Sequence, residues 1–320
     1  MSATIWPLPK VEEHAFVDWR DARPATVVTT AAAWSAVRQR LHGLNVLTVI
    51  EVAAADVAAW QSLRLDVKGE VLYAVGGGLA VDAAKFLTCT CALPLVCLPT
   101  ALSVDAFFTW ASGVRGHGCV RYIATRPPDL VLLDYAVMAE APPSIRAAGI
   151  CDVLSIATGS WDWRFAEDHG QNPPAMRYLA WVDRIAAAIL AAAFDCAEAA
   201  GRGDRDGLKQ LADCLALEVQ LCNQIGHSRP EEGSEHYFAY AVENRLGKGL
   251  PHGDLVGPGI VLMAQAQGQD VTPLRRALDA CQIPLDRIPP AIVAQTLAEL
   301  PAYVRRHDLP FGIAHVLGEE

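Results

Sequence analysis

The segment GSEHYFAYAVENRLGKGLPHGD (residues 233–254) sets two of the chain's nine histidines, His236 and His252, at the edges of apolar runs. Imidazoles so placed have two readings. Each can end a helix and satisfy its ring on a backbone carbonyl, or the two can be arms of one metal site whose third arm lies elsewhere. A second stretch, YAVGGGLAVDAAK (73–85), puts Gly76, Gly77 and Gly78 at the end of an apolar run, just ahead of a helical one. Without Cβ atoms the backbone can approach a pyrophosphate there, and a helix N-terminus offers free N–H groups and partial positive charge. The spacing is not G-x-G-x-x-G, and a glycine triplet alone also suits a tight turn that binds nothing. The segment LPTALSVDAFFTWAS (98–112) adds Thr100, Ser103 and Asp105 beyond the next strand-like run. Singly these are cap or turn residues; two polar clusters at adjacent strand ends point to a site.

The elements that must position these residues follow two grammars. Residues 25–135 alternate β-rich runs (25–30, 46–52, 71–78, 94–100, 129–135) with helical segments. Continuous Val/Leu/Ile runs indicate strands buried on both faces, and the helices between them make right-handed crossovers. The expected fold is an α/β, doubly wound, Rossmann-like parallel sheet, which binds ligands beyond the carboxyl ends of its strands. From about Pro142, Ala/Leu-rich helical patterns take over at 144–160, 175–200, 206–225, 235–246, 254–266, 273–281 and 290–305. The chain therefore reads as a dinucleotide-binding α/β domain over 1–140 and an all-α, metal- and substrate-binding domain over 141–320. A cleft between the two is the expected place for the site.

Composition narrows the function. Over 320 residues, 52% are hydrophobic and 19% charged, as in a packed globular protein. A formal net charge of −10 without a dense Lys/Arg run argues against a nucleic-acid partner. The N-terminus has no basic region followed by an apolar one, and IAAAILAAAFDCAEAA (185–200) is too short and too polar to span a bilayer, so no membrane partner is expected. Nine cysteines without a CxxC pair fit a cytoplasmic chain; Cys89 and Cys91 read as buried small residues.

Five ordered segments, GGGLAVDAAK, PTALSVDAF, AAGICDVLSIATGSWDWRFA (147–166), SRPEEGSEH (228–236) and LPHGDLVGPGI (250–260), resemble the superfamily joining iron-type alcohol dehydrogenases, glycerol dehydrogenases and dehydroquinate synthases. The nearest branch is the sn-glycerol-1-phosphate dehydrogenase-like one. The resemblance implies one divalent ion (Zn, Fe or Ni) on Asp152, His236 and His252, and NAD or NADP bound through Gly76, Gly77, Gly78, Asp82, Thr100 and Ser103. A carboxylate with two imidazoles suits such an ion acting as Lewis acid on an alcohol oxygen. Asp105 would orient the substrate or relay a proton, and Arg229 would meet a substrate phosphate. His227 reads as a neighbour of the site or a cap, and His117 and His169 as surface residues.

The expected activity is hydride transfer between the nicotinamide and an alcohol or carbonyl carbon of a small molecule, a polyol or polyol phosphate foremost, in a homo-oligomer. Three alternatives stand beside it. Glu231 and Glu232 replace the small residues usual in the glycerol-phosphate branch. They are expected on a solvated loop; if they line the site, they suit an amino alcohol or the hydroxyl of a peptide end, as in a natural-product tailoring dehydrogenase. A phosphate-eliminating lyase of the dehydroquinate synthase type would carry Glu for Asp152 and Lys where Ser155 stands. A non-catalytic binding relative would have no reason to keep three polar ligands in an apolar setting.

Overall fold

A computed structural model describes residues 4–247 and 249–318. The chain divides into two compact units, one formed by Trp6–Pro142 and the other running from Pro143 onward with the first described residues.

The first unit contains a six-stranded sheet built from β1 (Lys10–Glu13), β2 (Asp21–Thr29), β3 (Leu44–Glu51), β4 (Val71–Val75), β5 (Leu95–Leu98) and, after the hairpin of β6 (Ala111–Gly116) and β7 (Cys119–Ala124), β8 (Leu130–Leu133). Their order is β1-β8-β5-β4-β2-β3, and every neighbouring pair is parallel. The central strands β4 and β5 are buried at every position, as their unbroken apolar runs require. Val27, Tyr73, Val75, Leu98 and Leu132 form one core beneath them. The sheet is Rossmann-like, as the alternation of runs predicts.

Two pieces of this unit carry no strong sequence signal. β1 is four residues long and mostly exposed, so it lacks an apolar run. The hairpin turns at His117 (φ 54°) and Gly118 (φ 77°), a pair of positive φ angles that suits a tight two-residue turn. Four helices complete the unit: α1 (Ala31–Val37), α2 (Val57–Leu63), α3 (Gly78–Cys91) and α4 (Tyr135–Ala139). Thr30, Asp56 and Asp134 cap the N-termini of α1, α2 and α4 through their side chains. Cys89 and Cys91 correct an expectation: on the last turn of α3 the first is exposed and the second half-buried.

The second unit contains only helices among its described regular elements: α5 (Pro143–Arg146), α6 (Ile150–Leu154), α7 (Ile156–Asp168), α8 (Ala180–Arg202), α9 (Arg205–Ile225), α10 (Ser234–Leu246), α11 (His252–Ala266), α12 (Thr272–Ala280) and α13 (Pro290–Arg306), with short 3-10 turns between. No described helix is long and apolar enough to cross a membrane. Close approach governs how α11 packs. A Cβ at Gly259 would lie 2.5 Å from the Glu235 carbonyl oxygen, so only glycine lets α11 lie against the first turn of α10.

The C-terminal segment folds back onto this unit around His315, which is 8% exposed and accepts from the Gly312 amide through Nδ1. Burial and the nearby Arg305 and Arg229 guanidinium groups push its pKa down to about 4. The folded state thus favours the neutral ring, and its contribution is complete above the ordinary histidine value of 6.5 and is lost as pH falls toward 4. Thermal melts are expected to show a loss on the order of 2–3 kcal/mol across that window, and His315→Asn to flatten it. An unchanged slope in the variant would assign the acid sensitivity elsewhere.

Candidate metal and cofactor sites

Three helices bring Asp152, His236 and His252 together. Asp152 lies on α6, His236 on the first turn of α10, and His252 begins α11 behind Pro251. The convergence follows from small residues. A Cβ on Gly253 would stand 3.1 Å from Ala148 Cβ and 3.6 Å from Cys151 Sγ, so the first turn of α11 sits directly beside α6. His252 Nε2 is 2.7 Å from Asp152 Oδ1, and His236 Nε2 is 3.9 Å from the same oxygen. One ligand atom from each residue lies within 4.8 Å of the other two. Ligand atoms around one ion at bonds of about 2 Å stand roughly 3–4 Å apart, so the donor set fits a divalent ion in both spacing and chemistry.

The electrostatics are those of a site built for opposite charges. Burial would raise the Asp152 carboxyl, but the two imidazoles facing it hold it well below the usual carboxylate range. Burial would likewise lower His236; the Asp152 and Glu235 carboxylates on its two sides outweigh it and raise its pKa well above the ordinary value. Asp152 and His236 are each 6% exposed, whereas the His252 side chain keeps 30% of its surface. The site is closed on one side and reachable on the other.

In the first unit, the glycine turn lies between β4 and α3. Gly76 has φ 135°, a conformation that side chains rarely adopt, and Gly77 is the N-cap of α3. A Cβ on Gly77 would lie 2.9 Å from Ser103 Oγ, which places Ser103 directly against the turn. Thr100 and Asp105 are half-buried in the same irregular segment after β5, where the Asp105 carbonyl accepts from the Phe108 amide. Asp82 lies on α3. Its oxygens are engaged by Lys85 Nζ at 2.9 Å and the Gly113 amide at 3.1 Å, which ties α3 to the β6–β7 hairpin. Gly77→Ala is expected to lower dinucleotide affinity about tenfold, roughly 1.4 kcal/mol, with the melting temperature little changed. Nicotinamide fluorescence titration measures it, and parental affinity would mean that no cofactor approaches this backbone.

Other expectations divide. Arg229 is 2% exposed, and its guanidinium donates to the Phe311 carbonyl at 2.7 Å and to the Tyr237 hydroxyl at 3.4 Å, bracing the C-terminal segment. His227 stays outside the triad; it packs edge-on against Trp163 and accepts from the Arg229 amide. His117 and His169 are exposed. Glu231 and Glu232 are half-buried rather than solvated, because their peptide lies against Gly159 of α7, where a Cβ would stand 3.0 Å away. The Glu232 carboxylate accepts from Ser228 Oγ at 2.7 Å and Tyr240 OH at 2.6 Å, and its charge reaches His236. Lys85, Asp162 and Glu235, all fully buried, escaped the reading of the sequence as participants. For Glu235 the signal was there, an acid directly preceding a candidate ligand.

Known proteins share both the sequence and the fold. The family described as iron-containing alcohol dehydrogenase matches residues 17–142. A glycerol-1-phosphate dehydrogenase (NAD(P)+) of Methanothrix thermoacetophila is 31% identical over 256 residues, covering 77% of this chain and 69% of the relative. The enzyme of the same name from Pyrococcus furiosus is 28% identical over 236 residues, with 74% and 67% covered. The crystal structure of glycerol dehydrogenase from Schizosaccharomyces pombe superposes with a TM-score of 0.68 at 19% identity, covering all of this chain and 87% of that one. Sulfoacetaldehyde reductase from Bifidobacterium kashiwanohense, crystallised with NAD+, gives a TM-score of 0.65 at 17% identity over 100% of this chain and 99% of that one. With a glycine turn opening α3, an Asp-His-His cluster and these relatives, the chain belongs to the iron-containing alcohol dehydrogenase family.

Proposed function

We propose that this chain is a metal-dependent, NAD(P)-linked dehydrogenase of a small alcohol or polyol, polyol phosphates included. The observation that carries the reading is the convergence of Asp152, His236 and His252 within 4.8 Å. In this reading the three side chains hold one divalent ion, which when bound supplies Lewis acidity to an alcohol or carbonyl oxygen. Asp152 neutralises part of the ion's charge, and the imidazoles fix its place. Gly76, Gly77 and Gly78 would leave room for the cofactor's pyrophosphate, and the N-terminus of α3 would offer it partial positive charge. Ser103 and Thr100 offer hydroxyls to the same cofactor, while Asp105 is the group assigned to orienting the substrate and handling the hydroxyl proton. Asp82 belongs to the cofactor unit as the residue that fastens α3 to its hairpin.

The relatives' names make glycerol 1-phosphate the first substrate to try. A second reading, oxidation of an amino alcohol or the hydroxyl of a peptide end, is favoured by one observation: the half-buried Glu232 carboxylate, whose charge reaches His236, repels a phosphate and attracts an ammonium group. Nine free cysteines fit a reducing compartment such as the cytoplasm, and a homo-oligomer belongs to the same reading.

The test is elemental analysis and nicotinamide binding on one purified sample, with initial rates on glycerol 1-phosphate, glycerol and 2-amino-1-propanol. About one equivalent of divalent ion and a rate on any of the three supports the dehydrogenase, and the preferred substrate decides between the two readings. No stoichiometric ion, after loading with Zn²⁺, Fe²⁺ or Ni²⁺, sinks it.

A further inference from the structure

Among the described residues of the second unit, the carboxylates of Asp162 and Glu235 keep no exposed surface, and neither is a candidate ligand. Asp162 is held by four donors: the Ser234 amide and hydroxyl, the Gln267 side-chain amide and the Ile313 amide. It thus ties the N-terminus of α10 to α11's C-terminal end and to the C-terminal segment. Glu235 Oε1 accepts from the Gly233 amide at 2.6 Å and stands 2.9 Å from His236 Nδ1. Gly233 leaves room for both acids: a Cβ there would lie 2.9 Å from Asp162 Oδ2 and 3.1 Å from Glu235 Oε2. All four residues of G-S-E-H are therefore accounted for, the glycine by space, the serine by Asp162, the glutamate by the ring beside it, and the histidine by Asp152.

We propose that Glu235 is a positioning residue for the metal site: it accepts the Nδ1–H hydrogen bond of His236, fixes the tautomer and leaves Nε2, on the Asp152 side, free to hold the ion. The proposal rests on the reading of Asp152, His236 and His252 as ion ligands. Its physical basis is that a ligand imidazole can turn about its Cβ–Cγ bond and can carry its proton on either nitrogen, and a carboxylate behind the ring removes both freedoms while making the ring a stronger donor. Glu235 is suited to this because its own position is over-determined, by the Gly233 amide on one oxygen and by close packing against Gly259 of α11 at its backbone. Asp162 acts one step further out, holding Ser234 and so the first turn of α10.

The experiment uses the full chain loaded with Co²⁺, whose absorption reports coordination, and a competing chelator to read affinity. Glu235→Leu is expected to bind Co²⁺ about 10–100-fold more weakly than the parent, with a changed absorption band. Glu235→Gln keeps an oxygen to accept the Nδ1 proton and places its amide group toward Asp162, so it should recover most of the loss. Parental affinity in Glu235→Leu overturns the proposal, and so does a Gln variant as weak as the Leu one, since a packing role alone would not separate them. Should Glu235→Leu fail to fold, ¹⁵N spectra of the His236 ring in the Zn²⁺-loaded parent decide: a protonated Nδ1 with the ion on Nε2 supports it, and the reverse arrangement overturns it. A parent that takes up no ion fails the dehydrogenase reading itself, whereas a parent and variants that bind alike fail only the role of Glu235.

Discussion

Asp152→Ala is expected to strip the protein of its ion and to lower turnover at least about a thousandfold, the equivalent of roughly 4 kcal/mol of lost Lewis-acid stabilisation. Asp152 is the anionic member of the proposed ligand set, and it is the shared partner of both imidazoles, 2.7 Å from His252 Nε2 and 3.9 Å from His236 Nε2. Without it two rings alone face the ion. His252→Ala should give the same loss of ion with less disturbance of the fold, because that side chain keeps 30% of its surface whereas Asp152 is 6% exposed. Dinucleotide binding should persist in both variants, since the glycine turn belongs to the other unit. Elemental analysis, nicotinamide titration and initial rates on the same samples separate these effects. Full turnover with the ion still present would remove Asp152 from the site.

The second large effect is expected from Lys85→Met. Lys85 is fully buried on α3; its ammonium group donates to the Ala106 carbonyl and the Thr109 hydroxyl at 3.0 Å each and to the Ala111 carbonyl, and forms an ion pair with Asp82 Oδ1 at 2.9 Å. Burial raises the Asp82 carboxyl, and Lys85 is the first of the groups that oppose that rise. Removing the cation leaves the Asp82 carboxylate without its buried counter-charge and takes the ammonium donor from two backbone carbonyls. Breaking one side of a buried pair costs about 3–5 kcal/mol, which lowers the melting temperature by roughly 10 °C. Lys85→Met with Asp82→Leu removes both charges and should recover part of the loss. Lys85 also anchors the segment between β5 and β6, which carries Thr100, Ser103 and Asp105, so cofactor affinity should fall with stability in the single variant. A single variant that melts like the parent would mean that water or a rearranged loop replaces the ammonium group.

The strands of the sheet were legible because a strand buried on both faces must be apolar at every position, and VLYAV (71–75) and LVCL (95–98) are. β1 and the β6–β7 hairpin were not, since an exposed edge strand and a short ribbon need no such run. The helices of the second unit were legible from their Ala/Leu-rich helical patterns. The ligand types were legible too, though Asp152 joined the histidines only through a resemblance. His252 lies 100 residues from it along the chain, and no spacing rule connects positions that far apart.

The sequence by itself determined which groups were available: a glycine turn before a helix, a carboxylate and two imidazoles of ligand type, and two cores of different construction. Only the tertiary structure decided how those groups are employed. The oxygens of Asp82 are engaged by Lys85 and Gly113, and the guanidinium of Arg229 is turned to Phe311 and Tyr237. Glu232, expected in water, is held by Ser228 and Tyr240, and Glu235 stands behind His236. The reason is the same in each case. A polar side chain's identity sets what it can bind, but its burial, and the distant carbonyls, amides and rings that arrive beside it, set what it does bind.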